Sequence, residues 1–185
     1  MDYVKNFNET LYELSENYFA GIKELQNTLK EELGIAKELH AAFPCGEFKK
    51  NYVEIDALNA EVSELRKQIE KLNEKLENRS VSIHKELYRD CIETYQKFTE
   101  LLKKIIDSVG ALYTNIQLRL GGKITKAQEA LLNRKLGVIE GLNKHLVSFI
   151  KKEKDKMDVC KERLEKNNKQ IEAGKSNTNK KGRTR

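Results

Sequence analysis

Apolar side chains return every eleven residues along nearly the whole chain, in a 4-3-4 rhythm. The first stretch reads Phe7, Leu11, Leu14, Tyr18, Ile22, Leu25, Leu29, Leu33 and Ala36. A second runs from Leu65 through Leu76, Ser80, Ile83, Leu87, Cys91, Phe98 and Ile105 to Leu120. A third runs from Leu131 through Leu142, Phe149, Met157 and Leu164 to Ile171. Eleven residues in three turns is about 3.67 per turn, so such a stripe stays on one side of a nearly straight helix. The pattern dictates an all-α protein, an elongated antiparallel coiled-coil bundle of long helices.

Breakers set the helix ends. Phe43-Pro44-Cys45-Gly46 is the strong break in the first hundred residues, because proline lacks an N–H and clashes with the preceding turn. Gly121-Gly122 is the next, and Thr125 with Gln128 then forms a Thr-x-x-Gln capping box. Three helices follow, at about 3–42, 47–120 and 125–172, making a single elongated bundle over 1–172. The second would be about 110 Å long. Ala173-Gly174 should close the third, leaving 173–185 as a disordered basic tail without a packed core. The polar run at 78–82 offers an alternative. A break there divides the second helix and gives a four-helix up-down bundle. The stripe keeps its phase through Leu76, Ser80, Ile83 and Leu87, which favours the continuous helix.

In the three-helix arrangement the apolar face is too broad for its neighbours to cover between residues 101 and 150. Leu101, Ile105, Val109, Leu112 and Ile116 line one helix, and Leu132, Leu136, Ile139, Val147 and Ile150 the other. Leaving several such side chains wet costs many kcal/mol at about 25 cal/mol per Å². These ten residues are therefore the expected interface with a second copy or with a helical protein partner. Gly137 and Gly141, four apart, suggest a close helix crossing or a local bend, with curvature at a dimer centre as the functional alternative.

Charge is unevenly placed. Residues 1–43 carry eight acids and four bases, and residues 144–185 fourteen bases and six acids, within a net charge of +6. One end of the molecule is expected to be acidic and the other basic. Lys144, Lys151, Lys152, Lys154, Lys156, Lys161 and Arg163 are the candidate contacts to an anionic surface. Interleaved acids also fit a plain solvated face. No base-stacking aromatic lies among these lysines, so nucleic acid is the weaker expectation, limited to nonspecific phosphate contact.

Chemistry is hard to place on such a chain. No phosphate loop, dinucleotide fingerprint, zinc-protease motif or nucleophile elbow occurs, and acids alternate with lysines as on a solvated helix face. His40, Cys45, His84 and Cys91 are too scattered for a zinc site, which needs tightly spaced ligands. No enzyme activity, cofactor, metal or small-molecule substrate is expected. The three cysteines, an odd count, and the lack of a leader or a membrane span suggest a reduced, cytoplasmic setting, a nuclear one also being open.

Long helices with a dimer-prone region and lysine-rich faces resemble, in outline, membrane-curving BAR-type proteins. That likeness implies a dimer lying on anionic membrane through its lysines as a peripheral protein. The residues themselves favour a non-catalytic scaffold or adaptor that binds partners through helix–helix contacts.

Overall fold

The computed structural model describes residues 3–44, 46–78 and 84–183, with backbone alone for His84 and for 175–183. It is all-α. Helix α1 spans Tyr3–Ala42, α2 Gly46–Glu77, α3 His84–Leu120, α4 Lys126–Phe149 and α5 Asp155–Arg183, with one π turn, Ile150–Lys154, joining the last two. The chain runs up and down four times.

Of the two arrangements open to the sequence, the structure adopts the four-helix one. The continuous second helix is replaced by a hairpin: α2 stops at Glu77, and α3 returns beside it. Residues 79–83, where most of the doubtful stretch lies, are outside the described residues. Polar pairs set the antiparallel register. Lys75 reaches both Glu86 and Asp90 at 2.7 Å, Lys97 donates to Gln68 at 3.1 Å, and Lys104 lies 3.4 Å from Glu61. Asn115 then donates to the buried Asn51 at 2.7 Å, and Arg119 lies 3.5 Å from Glu47. The physical reason for the fold-back is burial. A stripe on one long rod meets few neighbours, whereas a stripe folded back on itself covers both halves.

α1 and α2 pair in the same antiparallel sense. Tyr12 donates to the Leu76 carbonyl at 3.3 Å, and Arg66 to Gln26 at 3.1 Å. At the turn between them, the Phe43 and Phe48 rings lie 5.9 Å apart and the Arg119 guanidinium sits 5.8 Å over Phe43. The capping box is present as read. Gln128 N–H donates to Thr125 Oγ1 at 3.2 Å, and Thr125 N–H to Gln128 Oε1 at 3.0 Å. α5 continues to Arg183, beyond the expected stop at Ala173-Gly174. One glycine costs a helix only about 1 kcal/mol, and no proline follows it.

The last two helices divide their neighbours. α4 lies chiefly against α3, and α5 chiefly against α1. The π turn stands where the partner changes. Leu142, Leu146 and Phe149 are buried before it, and Met157, Cys160 and Leu164 after it. A wide turn holds one extra residue, which re-aims the downstream stripe. The acidic α1 thus lies beside both α4 and the basic α5, with Lys135–Glu38 at 2.5 Å and His145–Glu24 at 2.7 Å to α4 and Arg163–Glu13 at 3.8 Å to α5. The acidic and basic ends of the sequence are side by side, not at opposite ends of the molecule.

Among the described glycines the tightest surroundings are those of Gly21. A Cβ there would stand 2.6 Å from the Phe98 ring and 2.8 Å from the Met157 methyl, so α1, α3 and α5 converge on its missing side chain. Gly137 and Gly141 behave differently from the close crossing expected of them. Nothing lies within 4 Å of a Cβ at either, because both face solvent. Gly34 is equally open. Gly21→Ala is therefore expected to destabilise the protein by about 1–3 kcal/mol through overpacking. Gly34→Ala and Gly137→Ala should each stabilise it by up to about 1 kcal/mol. Urea denaturation of the three variants reads both signs.

Candidate functional site

Seven of the ten expected interface residues lie inside the bundle. Leu101, Ile105, Val109, Leu112, Ile116, Leu132 and Ile139 are all buried in the single chain. Leu136 and Ile150 are half-buried against the same core, and Val147 is exposed, at 44%. The apolar area that seemed to require a second copy is covered by α1 and α2, the two helices that the three-helix arrangement held away from it. Among the described residues the large apolar side chains left outside are scattered, with Val138, Val147 and Val159 on α4 and α5.

The basic residues fall into two groups. Lys154 pairs with Asp158 at 3.2 Å, Lys156 with Glu153 at 3.6 Å, Lys161 with Glu165 at 3.1 Å, and Arg163 with Glu13. Lys144, Lys151 and Lys152 are exposed and have no ion pair among the described residues. Of the seven candidates, those without an ion pair stand at the end of α4 and in the π turn, while the exposed Lys166 and Lys169 of α5 also lack one among the described residues.

A polar cluster absent from the sequence reading sits beside them. Tyr95 of α3 donates a hydrogen bond to Asp158 of α5, whose other oxygen takes Lys154. The Lys161 ammonium lies 4.7 Å over the same tyrosine ring. Burial, then the bond to Asp158, push the Tyr95 phenol well above its ordinary range, so it stays a neutral donor. This cluster bridges the seam between α3 and α5, where the backbones are not in close contact. A tyrosine and an aspartate 63 residues apart carry no local spacing that would have shown it.

Of the scattered metal candidates, His40 and Cys91 are described, and they sit against different residues. The His40 ring meets Tyr52 edge-on at 5.4 Å, and Cys91 is buried behind Tyr18, whose hydroxyl donates to the Cys91 carbonyl at 3.0 Å. Cys45 and the His84 side chain lie outside the described residues. Among the described residues no group of three or more His, Cys, Asp or Glu side chains could hold a metal ion. Nor is any helix among them long and apolar enough to cross a membrane. Comparison with protein families, with curated proteins and with solved structures returns no match.

Burial pushes the Cys91 thiol up to about 12, with the Cys160 sulfur adding to the effect and the Tyr18 hydrogen bond opposing it. Cys160 is raised too, by burial first and then by Glu13. The thiolate is the reactive form, so both should resist a maleimide at pH 8 in the folded protein. Both should label fully in denaturant. Peptide mapping of the labelled sites reads the difference.

Proposed function

We propose that the protein is a non-catalytic helical scaffold or adaptor that binds partner proteins through helix–helix contacts on the outside of its bundle, in a cytoplasmic assembly. The observation that carries this reading is the division of labour between the two sides of each helix. The inner stripes satisfy one another, so the outer faces are free and stiff, and α1 alone presents about 60 Å of continuous helix. Val138, Val147 and Val159 stand out on the last two helices among charged residues. Single apolar anchors with a polar surround can seed helix contacts, and Val138 and Val147, nine residues apart, stand on opposite flanks of α4 and would serve two different contacts. A second copy is not required to cover the core, so the partner is free to be a different chain.

The experiment is capture of partners from native extract by the intact protein and by a Val138→Asp, Val147→Asp, Val159→Asp triple variant. All three positions are exposed, so helicity and melting should be unchanged while capture falls at least fivefold. Equal capture by both proteins rejects these faces as the binding surface.

One observation favours a second reading, docking to anionic membrane through lysines in the manner of BAR-type proteins: Lys144, Lys151 and Lys152 are close in sequence and unpaired. Each lysine gains roughly 1 kcal/mol near an anionic surface, so three supply about 3 kcal/mol, which is marginal anchoring. The scaffold reading asks less of them. Vesicle pelleting decides the matter. Binding to anionic vesicles that is absent with neutral lipid, and is lost on Lys144→Glu, Lys151→Glu, Lys152→Glu, would establish the membrane reading. Absence of pelleting from both is the outcome expected of a scaffold.

A further inference from the structure

Glu32 lies in the C-terminal third of α1 and is 0% exposed. Its Oε1 accepts from the Ser108 hydroxyl of α3 at 2.6 Å. Its Oε2 has no hydrogen-bond partner among the described residues. α1 and α3 are diagonal members of the bundle, so this bond crosses the core. The polar pairs place it by register near Leu58 of α2 and Ile139 of α4, both buried apolar residues. The charged groups around that level point to solvent: Lys30 and Glu31 on α1, Asp56 and Glu61 on α2, Lys104 and Asp107 on α3, Arg134 and Glu140 on α4. Glu61 pairs with Lys104, and the half-buried Lys135 pairs with Glu38. Among the described residues no cation pairs with Glu32.

We propose that Glu32 is a proton-controlled latch, which closes the α1–α3 diagonal when its carboxyl is neutral and loosens this half of the bundle when it ionises. Ionisation leaves a single charge among leucines and isoleucines with one hydroxyl to solvate it, where a buried carboxylate needs a cation or several donors. Opening lets water reach it. Ile105, Val109 and Leu112 flank Ser108, so the loosened state makes reachable the same side chains that the sequence offers to a partner. The latch stands on the core geometry and does not depend on the scaffold reading.

The sign follows from where the proton leaves. An opened, hydrated Glu32 releases it near the usual glutamate value of about 4.3. In the closed bundle, burial holds the proton to about 7, and the Ser108 bond lowers it only in part. Opening therefore becomes easier as pH climbs from the first value to the second, and is level above it.

Hydrogen exchange of the full chain at pH 5 and pH 8, corrected for intrinsic amide rates, reads the latch. Protection of residues 24–42 and 101–120 should fall at least tenfold more in the wild type than in Glu32→Gln. An equal fall in both proteins overturns the proposal, since it would assign the effect to other titrating groups. Carbon-13 titration of the glutamate carboxyls in the wild type keeps the question open to decision even where Glu32→Gln fails to fold. One carboxyl titrating near 7 supports the latch, and a set that titrates entirely below 5 sinks it.

Discussion

Each helix of this protein carries one apolar stripe, and a stripe must be covered along its whole length. That constraint sets everything else. A helix with a narrow stripe is satisfied by two flanking neighbours and one across the core, and four such helices satisfy one another. Three would leave the broad stretch of residues 101–150 wet, which is why the hairpin between α2 and α3 matters more than its few residues suggest. Once those helices fold together, Leu101 to Ile116 become interior, and the surface is left to charge.

Much of this fold is legible in the chain. The end of α1 follows from Pro44, and the start of α4 from the Thr125 and Gln128 side chains, because caps and breakers are local chemistry. The eleven-residue rhythm gives the inner faces, including Cys91, Met157 and Cys160. The division of α2 from α3 is harder to read. A stripe that keeps its phase across a polar run looks the same whether the helix goes on or doubles back, since both hairpin arms must also face the core. Only the number of neighbours distinguishes the two, and that is a property of the assembled bundle.

The glycines make the same point from the other side. Gly137 and Gly141 have the spacing of a close crossing and stand in open space, whereas the unremarked Gly21 is where three helices meet. Spacing along one helix says which residues share a face. What approaches that face is decided by residues such as Phe98 and Met157, 77 and 136 positions further on in the sequence. Glu32 is hidden for the same reason. In sequence it is one acid among many in Lys30-Glu31-Glu32, and only the packing of α3 across the core turns it into an unanswered buried carboxyl. The candidate surface is split likewise: the lysines are visible in the chain, while their division into paired and free residues depends on Glu153, Asp158, Glu165 and Glu13.

The antiparallel seating of the first helix on the last has an electrical consequence. Read along the chain, charge is separated, and a separated charge turns a molecule in a field and draws it toward a surface from afar. Folded, the negative segment lies against the positive one, and most of that moment closes on itself. What remains at a distance is an excess of +6, much of it from the five bases and no acids of residues 175–185, damped within about 8 Å in physiological salt. Along the paired stretch of the first and last helices, then, the fold itself mutes the long-range pull that the chain read end to end implies.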